Sequence, residues 1–437
     1  MSEINLFELD RLSRAEREAL MTRAEADLSA YLGPVQAIVD AVRAEGDEAV
    51  ARFGRELDKA DVHADRLMAT PEEFDRAFTA LEPEVRAAIE FAVENIRAFH
   101  AAQKPEAMWL KETRPGVFAG ERTTPIPSVA CYVPRGKGAF PSVMMMTTIP
   151  AVIAGVPEIA VLTPPTPDGG VDAASLVAAR IAGVERVYKC GGAVAVAAAA
   201  FGTATIPRCT KIVGPGSPWL VAAKKLLADR IDTGLPAGPS ESIVLADASA
   251  DGRIAALDLL VEAEHGPDSS AFLVTDSRAV AEAARAAIPQ HWKHMGAERV
   301  GYTKAVLGGP RGGIVLARDM EQAIAFTNDY APEHLEVLSD EPLQYLGQLK
   351  HAGEILLGAN SVLTLGNYLI GPNCVLPTGG HARSWSPLSV HDFMKRTSIA
   401  QVTRAGYDLL APYAHTLATY EGFDAHANAI SPMRDER

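Results

Sequence analysis

The chain has 437 residues, 48% of them hydrophobic and 22% charged, which is ordinary for a globular protein and too long for one compact core. Its formal net charge of −14 disfavours a surface that attracts phosphate backbones, so nucleic acid is not expected as a partner. The four cysteines lie far apart without a CxxC pair, which excludes a disulfide framework and a thiolate zinc knuckle. These cysteines are Cys131, Cys190, Cys209 and Cys374.

The N-terminal segment MSEINLFELDRLSRAEREAL carries mixed charge and lacks the apolar stretch that secretion requires. We therefore expect a cytoplasmic protein with reduced thiols. The longest uncharged run, residues 138–157, is interrupted by Pro141 and Pro150 and contains several polar residues. No membrane span is predicted there.

Residues 1 to about 105 are predicted to be helical, because apolar positions recur at intervals of three and four in VQAIVDAVRAEGDEAVARF and in FDRAFTALEPEVRAAIEFAVENI. The second of these helices has a clear start. Thr70 supplies a cap, Pro71 the first helical position and Glu73 the acid of a capping box.

From about Ser128 the pattern changes to short β-rich runs separated by alanine-rich helical stretches, which predicts parallel βαβ units. The first group of runs is SVACYV, EIAVLTPP, ERVYKC and TKIVG. A second group follows as ESIVLAD, SSAFLVTD, GGIVLARD and GEILLG. From about Val390 we predict helices in HDFMKRTSIAQVT and DLLAPYAHTLATYEG, attached to the α/β body.

Two glycine-rich turns, residues 190–193 and 211–217, come where predicted strands lead into predicted helices. Backbone N–H groups at such turns can hold phosphate. Neither turn has the GxGxxG spacing, and residues 136–138 lack the third glycine. A phosphate site and a plain structural turn are about equally compatible with these segments.

Glu262 and His265 are three residues apart in a predicted helix and therefore share one helix face. That face can bind a metal. A lone ExxH, however, is more often a solvated acidic edge with a capping histidine. A di-iron bundle would need a second ExxH, which the sequence lacks.

Glu333 and His334 are adjacent after a proline, and an acid beside an imidazole can share proton transfers. A polar loop with an imidazole on the protein surface is an equally good interpretation of this pair. The segments 366–380 and 421–426 read as ligand-holding loops, with a capping asparagine and a solvent-exposed histidine as alternatives.

Taken together and in order, these segments resemble the histidinol dehydrogenases. The strings that carry the resemblance are CYVP near 131, KIVGPG near 211, AGPSE near 237, EAEHGPD near 262, APEHLE near 331, VLPTGG near 375 and EGFDAH near 421. They span nearly the whole chain. Several strings in register are far more specific than any one motif.

The resemblance implies an α/β homodimer with two incomplete Rossmann-like domains and helical N- and C-terminal extensions. The expected first domain, residues 32–131 with 242–388, carries the metal and catalytic residues. The expected second domain, residues 132–241, lies on the cofactor side. Residues 1–31 form the N-terminal helical extension, and residues 389–437 form a helical tail that completes the partner's active site.

The resemblance also implies one zinc ion (Zn2+) with four side-chain ligands, which are here Glu262, His265, Asn367 and His426. The family has glutamine in place of Glu262 and aspartate in place of Asn367, so carboxylate and amide have exchanged places. A carboxylate is the stronger zinc ligand, so we expect Glu262 to bind firmly and Asn367 to bind weakly or to serve the substrate.

The implied reaction is two successive hydride transfers to NAD, from a primary alcohol through the aldehyde to the carboxylate. In it, His334 is the general base, and Glu333 activates the water that attacks the aldehyde. Zinc orients the substrate and polarises its oxygen. The sequence does not decide between NAD and NADP.

The implied substrate contacts are Ser240, His334, Cys374, the four metal ligands and Glu421, with Glu421 and His426 acting from the partner subunit. Cys374 replaces a histidine of the family. On the cofactor side, Tyr132 matches the family, whereas Val194 replaces a glutamine and Ser217 an asparagine. Losing a buried hydrogen-bond partner changes affinity by about 1–3 kcal/mol, which is enough to alter selectivity.

These exchanges favour a paralogue with another small polar alcohol as its substrate, such as a sulfonated diol or an amino alcohol. Oxidation of L-histidinol in histidine biosynthesis is the alternative. Two further classes stay open. Cys374 in its glycine-rich loop raises the possibility of a thiol-dependent aldehyde dehydrogenase, and the exchanged ligands raise that of a catalytically silent binding protein.

Overall fold

The computed structural model describes residues 4–23, 27–136 and 138–434. The chain forms two compact units. The first unit comprises Met1–Gln103 and Ile126–Phe393, and the second comprises Lys104–Pro125 and Met394–Arg437. The domain boundaries expected from the family resemblance stay a prediction.

The elements follow in chain order. The first segment contains β1 (Leu6–Glu8), α1 (Arg14–Leu20), α2 (Ser29–Glu45), α3 (Asp47–Glu56), α4 (Pro71–Ala80) and α5 (Pro83–Gln103). Strands β2 (Met108–Arg114) and β3 (Val117–Pro125) come next. An alternating segment contains β4 (Ser128–Tyr132), α6 (Pro141–Ala154), β5 (Glu158–Thr163), α7 (Ala173–Ala182), β6 (Val187–Lys189), α8 (Gly192–Phe201), β7 (Lys211–Val213) and α9 (Pro218–Leu226).

A second alternating segment contains β8 (Glu241–Ala246), α10 (Gly252–Ala263), β9 (Ser270–Thr275), α11 (Arg278–His291), α12 (Ala297–Leu307), β10 (Gly312–Leu316), α13 (Met320–Tyr330), β11 (His334–Leu338), α14 (Leu343–Leu346), β12 (Glu354–Leu357) and α15 (Leu363–Tyr368). The chain ends with β13 (Met394–Val402), α16 (Arg404–Tyr420) and α17 (Asp424–Ala429). The capping box predicted at Thr70 is present, with Glu73 as its reciprocal partner.

The smaller sheet of the first unit is fully parallel, in the order β6-β5-β4-β7. One face packs on α2, α3, α8 and α9 through alternate residues such as Ala130 and Tyr132. The opposite face meets α6, where the Cys131 thiol donates to the carbonyl of Thr147 at 3.5 Å. Adjacent strands β4 and β7 are thus followed by helices on opposite faces, which opens a crevice between their carboxyl ends.

The larger sheet of the first unit is also parallel, in the order β1-β10-β9-β8-β11-β12. Its core is built from Val, Leu, Ile and Phe side chains on both faces, as a sheet covered on both sides requires. The N-terminal extension, expected to be helical, begins instead with β1, because Leu6, Phe7 and Glu8 pair with Ile314, Val315 and Leu316. Helix α1 follows as expected.

The second unit is an antiparallel sheet, β13-β3-β2, with α16 and α17. The helix predicted over residues 391–403 is therefore wrong for most of its length. Strand β13 pairs with β3 from Met394 opposite Pro125 to Val402 opposite Val117. The partner strand is far away in sequence, so a local helical pattern could not show it.

Candidate active site

A cavity of about 430 Å3 lies between the two sheets of the first unit. One wall comes from the carboxyl ends of β4 and β7, where Pro134, Arg135 and residues 215–219 follow the strands. The other wall comes from the amino ends of β8 and β11, with Ser240 and His334. The cavity therefore joins the glycine turn after β7 to the acid and imidazole motifs.

Glu262 is the centre of the first cluster in this cavity. It lies in the last turn of α10 and is only 1% exposed. The Asn367 amide Nδ2 donates to Glu262 Oε1 at 2.9 Å, and His265 Nδ1 is 3.1 Å from Glu262 Oε2. Burial alone would raise the pKa of Glu262, but His265, His334, Asn367 and Ser240 together lower it. Glu262 is a carboxylate with one oxygen facing each neighbour.

These three side chains offer a carboxylate, an imidazole and an amide oxygen, which are donors that zinc accepts. No group of three or more histidine, cysteine, aspartate or glutamate side chains in the described part of the chain is placed to hold a metal. Glu262 and His265 supply two such donors, and the amide of Asn367 is of another type. The donor set fits a zinc site that needs a further ligand.

Glu333 and His334 form the second cluster. His334 is the first residue of β11, is 3% exposed, and has its Nε2 3.9 Å from Glu333 Oε1. Its Nδ1 lies 3.1 Å from Glu354 Oε2. Burial would lower the pKa of His334, but the charges of Glu262, Glu333 and Glu354 raise it to about 10.

Glu333 is held by the backbone of the neighbouring strand, since the Glu241 N–H donates to Glu333 Oε2 at 2.9 Å. Burial raises the pKa of Glu333 well above its usual range, with the charge of His334 opposing. Burial thus favours the protonated form of Glu333, whereas the neighbouring imidazole in its charged form favours the carboxylate. A proton can move between the two side chains and a group bound in the cavity.

A buried ion pair involves Glu241, the residue whose backbone N–H holds Glu333. Arg23 Nε donates to Glu241 Oε1 at 2.8 Å, and the Gly379 N–H donates to the same oxygen at 2.9 Å. The Arg23 guanidinium stacks on the Tyr330 ring at 3.5 Å from its centroid. Arg23, Glu241 and Glu354 are not among the predicted site residues. Glu241 lies in the string AGPSE and Gly379 in VLPTGG, two of the strings that carry the resemblance, whereas Arg23 and Glu354 lie outside all of them.

Among the three residues predicted to contact the cofactor, only Ser217 lines the cavity. Val194 is buried in α8. Tyr132 is buried behind the wall, with its hydroxyl accepting from the Gly192 N–H at 3.1 Å. The turn itself requires glycine at Gly214, where φ is +116° and a Cβ would lie 2.1 Å from the carbonyl oxygen of Tyr132.

Ser240 and Cys374 both line the cavity near Glu262. All four cysteines are free. Burial, and then the charges of Glu354, Glu333 and Glu262, raise the pKa of the Cys374 thiol far above its usual range. A protonated thiol among carboxylates is a poor nucleophile.

Glu421 and His426 belong to the second unit. Glu421 caps the end of α16, and His426 lies on α17 with its ring 5.2 Å from that of Phe423. Both side chains are exposed. Across the described residues, we find no helix with the length and apolar character that a membrane crossing needs.

Comparisons with known proteins agree with these motifs. The sequence profile described as histidinol dehydrogenase matches residues 21–434. "Histidinol dehydrogenase homolog 2" of Mesorhizobium japonicum is 60% identical over 100% of this chain and 99% of its own length. "Histidinol dehydrogenase" of Synechocystis is 47% identical over 97% of this chain and 98% of its own length.

A solved structure is also similar throughout. The crystal structure of histidinol dehydrogenase from Elizabethkingia anophelis superposes with a TM-score of 0.92 at 30% identity, covering 98% of each chain. The match includes both α/β sheets predicted from the sequence. The chain belongs to the histidinol dehydrogenase family of oxidoreductases.

Proposed function

We propose that this protein is a zinc-dependent, NAD-linked dehydrogenase that oxidises a small polar primary alcohol through the aldehyde to the carboxylate. One observation carries the proposal. A single cavity is lined by the glycine turn after β7, by Glu262 of α10 and His265 in the turn that follows it, and by Glu333 and His334. Hydride acceptor, metal and proton acceptor would then meet around one substrate carbon.

Glu262, His265 and Asn367 would hold the zinc ion, with His426 of a second copy as the fourth ligand. Asn367 Nδ2 donates to Glu262, so its Oδ1 is the atom left to face a metal. The bound metal would polarise the substrate oxygen and lower the pKa of the alcohol.

NAD would lie in the crevice between the carboxyl ends of β4 and β7, where nucleotides bind in open parallel sheets. Ser217 and the free backbone N–H groups at the start of α9 would face its phosphates. Tyr132 would act from behind the cavity wall by fixing the turns at Gly192 and Gly214, and Val194 would pack in the first turn of α8.

His334 would take the proton of the alcohol at Nε2, and Glu333 would activate water for attack on the aldehyde. Glu262 is the largest of the charges that raise the pKa of His334. When Glu262 holds a cation its charge is compensated, and His334 can exist as the neutral base. Ser240 and Cys374 would contact the substrate's polar groups beside these residues.

A homodimer would bring Glu421 and His426 of one subunit to the site of the other. The support lies on α16, which has one face lined by exposed Leu409, Tyr413, Leu417 and Tyr420. Their spacing of four, four and three places them in one stripe. Exposed apolar stripes of this kind mark protein interfaces.

The substrate would be a polar alcohol other than histidinol, such as a sulfonated diol or an amino alcohol. Cys374 offers a short neutral thiol in the cavity, which recognises an imidazole poorly. Relatives at 60% and 58% identity are named histidinol dehydrogenase homolog, whereas those at 47% and 42% are named histidinol dehydrogenase. L-histidinol is the second candidate, favoured by the intact Glu333–His334 pair.

The test is NADH formation at 340 nm by zinc-loaded protein with L-histidinol, sulfonated diols and amino alcohols. Wild type is expected to oxidise one class well, and Glu333→Gln and His334→Ala to lose about 100-fold or more in kcat. Failure of every alcohol, or equal rates in the variants, would overturn the proposal. Histidinol as the best substrate would select the second candidate.

A further inference from the structure

We propose that Glu354 is a positioning residue that holds His334 in the orientation and tautomer needed for proton transfer, an inference that rests on the proposed function. Glu354 and His334 are paired residues of the adjacent parallel strands β12 and β11. Their side chains meet at 3.1 Å between Oε2 and Nδ1. The sheet register therefore places the carboxylate beside the Nδ1 edge of the imidazole.

The contact leaves His334 one free ring nitrogen. With Nδ1–H donating to Glu354, the neutral ring carries its lone pair on Nε2. Nε2 is on the side of Glu333, at 3.9 Å from Oε1, and His334 lines the cavity. A carboxylate behind a histidine fixes its tautomer and stabilises the imidazolium that forms when it accepts a proton.

The surroundings of Glu354 indicate that this carboxylate is kept for His334. Glu354 is 8% exposed, and its Oε1 has no hydrogen-bond partner among the described residues. Burying a carboxylate with one oxygen unsatisfied costs stability, and such a group calls for a functional explanation.

The fold also makes room for this group. A Cβ at Gly366 would lie 3.0 Å from Glu354 Oε2 and 3.1 Å from Oε1, so a glycine there leaves space for both oxygens. Other charged groups that face His334 are Glu262 of α10 and Glu333, and neither contacts Nδ1 within hydrogen-bond distance in the described structure.

The experiment compares Glu354→Gln, Glu354→Asp and the matched control Glu336→Gln in the zinc-loaded full chain. Glu336 is a buried carboxyl two residues from His334 on the same strand, and the carboxylates that raise the pKa of His334 are Glu262, Glu333 and Glu354. Two readouts are used. One is the pH profile of kcat and KM with the best alcohol, and the other is the tautomer of His334 from 15N NMR of histidine-labelled protein.

We expect Glu354→Gln to lower kcat about 100-fold with KM changed less than about threefold, and Glu354→Asp to restore part of the rate. The His334 resonance should lose its Nδ1–H signature in Glu354→Gln and keep it in Glu336→Gln. Equal loss in both Gln variants, or an unchanged tautomer in Glu354→Gln, would overturn the proposal. If wild type oxidises no alcohol, the proposed function fails, while the tautomer still decides the role of Glu354.

Discussion

Replacing Arg23 by methionine should destabilise the first unit strongly, because Arg23 is 9% exposed and pairs with Glu241, which is 2% exposed. Removing one partner of a buried ion pair leaves an uncompensated charge and costs about 3–5 kcal/mol. Arg23 also donates to the Tyr330 carbonyl and stacks on its ring, so the upper part of this range is expected.

The measurement is the free energy of unfolding in urea for Arg23→Met, Glu241→Gln and the double variant. Because the double variant no longer buries a lone carboxylate, the two losses should not add, and a coupling of about 1–3 kcal/mol is expected. Arg14→Met is the control, since the Arg14–Glu18 pair is exposed and should contribute less than about 1 kcal/mol. A loss below about 1 kcal/mol for Arg23→Met, or strict additivity, would show that the Arg23–Glu241 pair does not stabilise the fold as a buried ion pair.

Cys374→Ala should keep kcat within about threefold, because a half-buried thiol that stays protonated is not the nucleophile; near-complete loss of turnover would instead support a thiol-dependent aldehyde dehydrogenase. Gly214→Ala should cost about 2–6 kcal/mol and abolish NAD binding, measured by urea unfolding and calorimetry, because its Cβ would meet the Tyr132 carbonyl at 2.1 Å. Unchanged NAD affinity in this variant would contradict the placement of the cofactor. Burial and the charge of Asp258 raise the pKa of Glu336 to about 9, so its contribution to stability is lost as the pH rises from about 5 to 9. Glu336→Gln should flatten the fall in unfolding free energy between pH 6 and pH 8.5, and parallel curves for the two proteins would show that this carboxyl is not responsible.

Local patterns gave the parts of the fold that depend on neighbours in sequence. The capping box at Thr70 was predicted because its partners are three residues apart. The three-residue spacing of Glu262 and His265 indicates that they lie close together, and their side chains are 3.1 Å apart, although α10 ends at Ala263 and His265 follows it in a turn. The two parallel sheets follow from the alternation of strands and helices. Their order along the chain was enough to indicate the family.

Long-range partners could not be read from such patterns. Strand β13 was predicted as a helix because its partner β3 is far away in the chain. Arg23 looked like one charge in a polar N-terminal segment, and its role depends on Glu241, 218 residues later. Nothing in the sequence indicates a role for Glu354. The run GEILLG shows an acid at the start of a strand, but it does not show that His334 lies on the neighbouring strand.

The exchanged ligands show a further limit. The residue types predict that Glu262 is the stronger metal ligand. The structure shows in addition what holds the side-chain amide of Asn367 in its position. Asn367 donates to Glu262, so the carboxylate orients the weaker donor. Which alcohol the cavity accepts depends on distances to a bound substrate, which residue types alone do not fix.

The most direct test of the proposed function is a zinc titration of chelated protein, with NADH formation followed at 340 nm in the presence of NAD and the best alcohol. We expect no turnover without metal and a rate that rises to a plateau at one zinc per subunit. A rate that survives chelation and does not respond to added zinc would contradict the proposed function.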